Sequence, residues 1–236
     1  SVSTPTATSA PVSNVPVSEP PSGGGSGQLN SVSVGLATID VLLVYTPAAT
    51  SWASTNGGTI SSISQSVAQS MQRANEVHAN SDSGIYLNLV HSAETTFTEV
   101  DMSTDLDYLT YALGEVDPWS AVPDPTGFMD DVLTLRNTHN ADQVCLLEYN
   151  ETSGGLGWTM TQLEGDPDYA FCVARVQQVH DTYTVVHELG HTIGCQHSKT
   201  QTFQPAVAPI LFSYSAGWQW DDTEPTPTID DGYCSV

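Results

Sequence analysis

Basic residues are nearly missing from this chain of 236 residues: Lys and Arg total 4 against 27 Asp and Glu, a formal net charge of −23 at pH 7. A surface that acidic repels phosphate backbones and anionic lipid, which argues against nucleic acid and membrane partners. It suits a secreted protein whose carboxylates keep it hydrated in a salty setting. No stretch reaches the roughly 18 consecutive apolar residues of a membrane span. The N-terminus has no basic and apolar leader either. Ser1 stands where a Met would, so the expectation is a processed or excised piece whose leader lay upstream. Cysteines are few: Cys145, Cys172, Cys195 and Cys234, with no CxxC spacing. Their even number and spacing favour extracellular disulfides over a structural zinc site, and three connectivities are open.

Residues 1–36 contain one charge, Glu19, and are built largely from Ser, Thr, Pro, Val and Gly. Such a segment buries too little apolar surface to offset its ordering entropy, so it reads as a linker or pro-region remnant. A domain is expected over 37–236. "ATIDVLLVYTP" (37–47) is a strand-length apolar run ended by a Pro, as in a strand buried on both faces. Ile60, Ile63, Val67, Met71, Ala74 and His78 recur at helical spacing, which makes His78 structural. "GIYLNLV" (84–90) alternates like a strand, a helix is expected around 126–138, and "QVCLLEY" (143–149) and "YAFCVARV" (169–176) read as further strands. Strand and helix alternate, so an α/β domain with a largely parallel sheet is predicted.

The chemistry is concentrated in "HELGHTIGCQH" (187–197), which holds three of the seven histidines. On a helix capped by Asp181, His187 and His191 share one face and can offer two nitrogens to one ion. Gly194 tolerates positive φ and lets the chain leave the helix sharply, so His197 can return as a third ligand. Three neutral nitrogens leave a fourth tetrahedral position for water, the requirement of a catalytic zinc. Glu188, beside the metal and not needed as a ligand, can act as general base on that water. The spacing therefore predicts hydrolysis of a peptide bond without a covalent intermediate.

The pattern HExxHxxGxxH is the metzincin signature, matched at His187, Glu188, His191, Gly194 and His197. "IDVLLVYTP", the helix after it and "SGGLGW" make the chain resemble the bacterial members of the reprolysin (adamalysin)-like branch. The resemblance implies a secreted, monomeric zinc endopeptidase acting on protein or peptide substrates. It implies a twisted, five-stranded, mostly parallel sheet with one antiparallel edge strand, long helices and a zinc-binding active-site helix. "GGLGWTM" is similar to that edge strand, so Gly155, Leu156, Gly157 and Trp158 are candidates for holding the substrate backbone, and Tyr214 for lining the pocket. The resemblance also implies pairing of Cys195 with Cys234, leaving Cys145 with Cys172. Two departures stand out: Ser198 follows the third histidine where the family has Asp, and the supporting Met-turn is missing because the last methionine is Met160. "GYCSV" (232–236) reads as the approach to that turn, so the expectation is a chain truncated just before it.

Two other readings compete. Peptidyl-Asp metallopeptidases also resemble the zinc motif, and an acidic-side-chain preference would need a cation, for which Arg175 is best placed. A zinc-binding module without proteolytic activity is the other, against which the intact Glu188 speaks. Structural calcium at Asp101/Asp105/Asp107 or Asp230/Asp231 is a further expectation.

Overall fold

The computed structural model describes residues 36–56, 60–111, 128–200, 205–207, 209–212, 214–217, 219–220 and 233–234. Nearly all of the expected linker, the start of the helix expected at 126 and the Asp230/Asp231 pair lie outside the described residues.

Five strands form one sheet: β1 (Ala37–Tyr45), β2 (Ile85–Glu94), β3 (Gln143–Glu148), β4 (Gly155–Gly157) and β5 (Phe171–Arg175), in the order β2-β1-β3-β5-β4. All neighbours are parallel except β4, which runs antiparallel to β5 at the edge. The mostly parallel sheet with one antiparallel edge strand is thus present. The β3 sequence is apolar without alternation because both of its faces are covered, and all six residues are buried.

Alternate residues divide the core into two layers. Val41, Leu43, Leu147 and Ala174 face α1 (Pro47–Asn56), α2 (Ile63–Asn80) and α5 (Thr184–Thr192). Leu42, Val44, Leu146 and Phe171 face α3 (Met102–Thr110) and α4 (Asp130–His139). Each fully buried Leu or Val contributes about 1.5–3 kcal/mol of transfer free energy, so the sheet is the rigid platform for whatever lies at its ends. A short antiparallel ribbon joins β6 (Gln219–Trp220) to β7 (Tyr233–Cys234).

Several details differ from expectation. Pro47 ends β1 but also opens α1: Thr46 Oγ1 accepts from the Ala49 N–H at 3.0 Å, so Thr-Pro is a cap followed by a first-turn proline. The acids expected to gather calcium instead start α3, where the Asp101 carboxylate accepts from the Thr104 N–H at 3.1 Å. Asp181 does not cap α5. Its N–H donates to Gln178 O at 3.2 Å in the preceding turn, and the Thr184 N–H goes to Thr182 Oγ1 at 3.4 Å.

Cys145 and Cys172 are register partners on β3 and β5, both fully buried, and no disulfide joins them. Cys195 is also a free thiol, and the side chain of Cys234 lies outside the described set. No helix among the described residues is long and apolar enough to cross a membrane.

Candidate metal centre and active site

Helix α5 packs Val185, Val186 and Leu189 into the core and carries His187, Glu188 and His191 on its other positions. It ends where Gly194, at φ +97°, turns the chain back so that His197 faces the helix. The three imidazoles converge: His187 Nε2 lies 2.9 Å and His191 Nε2 3.2 Å from His197 Nε2. Among the described residues this is the group of side chains gathered closely enough to hold a metal, with its ligand atoms within 4.8 Å of one another.

The protonation of the cluster follows from its neighbours. His191 Nδ1 is 2.7 Å from Cys195 O, and a carbonyl only accepts, so Nδ1 carries the hydrogen and Nε2 presents a bare lone pair. Burial, reinforced by the adjoining imidazoles, pushes His187 down to about 3. Burial likewise pushes His191 down to about 4. Both are therefore neutral at pH 7. A tetrahedral zinc with nitrogens about 2.1 Å away spaces them about 3.4 Å apart, close to the separations here. The residues fit zinc.

Glu188 is 5% exposed and lies between α5 and the edge strand. Burial pushes its carboxyl up to about 8. The edge strand reaches it only because it is made of glycine. A Cβ at Gly155 would stand 2.6 Å from Glu188 Cγ, and one at Gly157 would stand 2.9 Å from Glu188 O. Pairing to β5 uses the Gly154 carbonyl, which accepts from Arg175 N at 2.8 Å, and the Trp158 N–H, which donates to Phe171 O at 3.4 Å. By antiparallel alternation, Gly155 and Gly157 turn their N–H and C=O groups toward the free edge of the sheet.

A family model, Reprolysin_5 of metallo-peptidase family M12, matches residues 35–222. The chain belongs to metallo-peptidase family M12. A peptidyl-Asp metalloendopeptidase of Pseudomonas aeruginosa is 26% identical over 196 residues, covering 78% of this chain and 29% of that protein. One from Stenotrophomonas maltophilia (strain R551-3) is 29% identical over 187 residues, covering 78% of this chain and 39% of that protein. The M12 chain here therefore spans well under half the length of these curated relatives. A chain in a solved chaperone–substrate complex aligns with a TM-score of 0.51 at 16% identity, over 77% of this chain and 28% of that one, a likeness of fold alone.

The remaining candidates separate in the M12 fold. The Trp158 indole is in the core, its Nε1–H donating to Thr110 Oγ1 at 2.7 Å and its ring edge-on to Tyr169 at 5.4 Å. Leu156 packs into the same layer. The same alternation turns the N–H and C=O groups of this pair toward β5, so the free edge is offered by Gly155 and Gly157. Tyr214 is 77% exposed and stacks on Phe212 with ring centroids 5.1 Å apart. Arg175, at the end of β5, reaches Glu151 at 3.7 Å, and its Nε is buried without a hydrogen-bond partner. Ser198 is buried and bonds Thr200 through its hydroxyl at 2.9 Å, so the position of the family's Asp is filled by a satisfied side chain. Asp101 and Asp105 accept from the N–H groups of Thr104 and Val100 and are not drawn into a shared ligand set with Asp107. His78 bonds Ser83 and stays apart from the metal cluster, as its place in the helical stripe implies. Two contributors were invisible in the sequence: the Cys195 carbonyl, which sets the His191 tautomer, and Gln196.

Proposed function

We propose that this chain is a secreted, monomeric zinc endopeptidase that hydrolyses peptide bonds in protein or peptide substrates. Its catalytic domain is residues 37–236, preceded by the 1–36 linker. The observation that carries the reading is the convergence of three histidine nitrogens beside Glu188, directly under a sheet edge whose glycine backbone is free to bond. His187, His191 and His197 would hold one zinc ion through Nε2. When bound there, zinc supplies Lewis acidity that lowers the pKa of water, polarises a carbonyl and favours the ionised form of Glu188. Glu188 accepts the proton of the attacking water and returns it to the leaving amine. Gly155 and Gly157 add the extended substrate to the sheet as a further strand, which aligns its scissile bond with Glu188. Structural calcium at Asp230/Asp231 is a finer part of this proposal.

The test is digestion of casein by zinc-loaded protein with and without a chelator, with cut sites read by mass spectrometry. Cleavage abolished by the chelator and restored by zinc is expected. Intact casein with stoichiometric zinc would favour the silent zinc-binding module. A second reading, preference for acidic side chains, is favoured by the names of the relatives and by the only cation near the start of the edge strand, Arg175. Its salt bridge to a largely exposed Glu151 is long, which leaves the guanidinium able to exchange partners. Under that reading cut sites cluster at Asp, and Arg175→Gln disperses them.

A further inference from the structure

His197 is the one member of the cluster that no helix holds. His187 and His191 are fixed one turn apart on α5, whereas the position of His197 depends on what anchors the chain after Gly194. Gln196 anchors it. This side chain is 8% exposed, and each of its polar groups bonds to one stretch of chain, residues 207–217. Its N–H donates to Ser215 O at 2.7 Å, and its carbonyl accepts from Gly217 N at 2.7 Å. These two bonds make a parallel bridge to Ala216. The side-chain Nε2 donates to Pro209 O at 3.0 Å, and Oε1 accepts from Val207 N at 3.2 Å. Residues 207 and 209 belong to one arm of the strap, and 215 and 217 to the other. The main chain of residue 196 holds the 215–217 arm and the glutamine side chain adds the 207–209 arm, so the side chain is what ties the second arm to the first.

The strap also returns to the metal motif by packing. The Leu211 side chain occupies the space beside Gly194, 2.7 Å from where a Cβ would stand. Between the two arms the strap exposes the stacked Phe212–Tyr214 pair, an apolar surface adjoining the turn of the motif. Within three residues, then, Cys195 O orients His191, Gln196 holds the strap, and His197 enters the cluster.

We propose that Gln196 is a positioning residue that keeps His197 and the 207–217 strap in one register, so that metal retention and substrate contact depend on the same side chain. The proposal rests on the zinc-peptidase reading for its substrate half and on the histidine cluster alone for its metal half. Positioning partners of metal ligands typically contribute 10–100-fold to metal affinity. The Val207 and Pro209 partners lie nearer to solvent, so water can satisfy them when the glutamine is replaced and the fold persists.

The experiment compares wild type, Gln196→Leu and Val207→Pro, the last deleting the bond to Oε1 from the strap side while Gln196 stays. Zinc release to excess chelator is followed spectroscopically, and KM and kcat are measured on a peptide substrate with zinc saturating. Release at least tenfold faster in both variants, with kcat/KM lost mainly through KM, is expected. Release within twofold of wild type in either folded variant would overturn the proposal. If Gln196→Leu does not fold, Val207→Pro decides it. Zinc release needs no substrate, so absence of peptidase activity in the wild type would refute the functional reading while leaving this test intact.

Discussion

The two faces of the sheet each bury a set of ionisable groups, and they treat them differently. Between α3 and the end of β3, Asp105 and Glu148 are almost wholly buried, with no cationic partner. Burial pushes Asp105 up to about 6, against the hydrogen bond with Glu148, which lowers it; burial, together with the hydrogen bond and charge of Asp105, pushes Glu148 up to about 9. Both Asp105 oxygens accept from Val100 N and Glu148 Oε1 accepts from Asn150 Nδ2 at 2.9 Å, while Glu148 Oε2 is buried beside Asp105, where one proton shared by the pair removes a charge. On the α5 face, three histidines turn ring nitrogens toward one point and Glu188 faces a glycine edge. The first set settles its charge with a proton held in the core; the second is incomplete without a metal. A strongly shifted pKa therefore does not separate a structural group from a functional one, whereas ligand atoms converging on one point beside an open edge do.

The largest effect is expected from removing a member of the incomplete set. His187→Ala, His191→Ala or His197→Ala should abolish zinc binding at equimolar metal, read by elemental analysis after gel filtration. Full zinc occupancy in any of them removes that residue from the ligand set. Next in size is Gly155→Ala, whose methyl group must displace Glu188. Overpacking costs about 1–3 kcal/mol of stability. A misplacement of about 1 Å at the base costs roughly 100-fold in kcat, with zinc still bound. Normal turnover in Gly155→Ala would show that the edge strand does not constrain Glu188. The smallest effect belongs to the first set and depends on pH. Both carboxyls have folded pKa values above their unfolded ones, so their contribution to stability is full below about pH 4. It is lost as pH rises toward 6 for Asp105 and toward 9 for Glu148, at no more than about 1.4 kcal/mol per pH unit for one proton. Glu148→Gln keeps the shape of the protonated acid and removes that loss. Its stability relative to wild type should grow from pH 5 to pH 9 in urea titrations, with zinc binding unchanged. A constant difference across that range would mean that Glu148 is not protonated in the fold.

The zinc motif was legible because its geometry is largely local: a four-residue helical step fixes His187 and His191, and a glycine turn brings His197 back toward them. The strands were legible because continuous apolar runs such as Val41–Val44 have no other stable home. Helices α1 and α3 were hidden for a related reason. Their start signals, Thr46-Pro47 and Asp101, also carry other meanings, a strand stop and an acidic ligand, and only tertiary contacts choose between them. The glycines of β4 were visible, but the closeness of Glu188 that requires them was not. Gln196 had no signal at all, since a glutamine between two motif residues looks like any polar spacer until its four partners, Val207, Pro209, Ser215 and Gly217, arrive from further along the chain.

The most direct measurement is zinc content and peptide hydrolysis on one preparation of Glu188→Gln. A base that is not a ligand predicts one zinc per chain, as in wild type, with kcat reduced by roughly 100-fold to 10,000-fold. Turnover equal to wild type at full zinc occupancy would contradict the account.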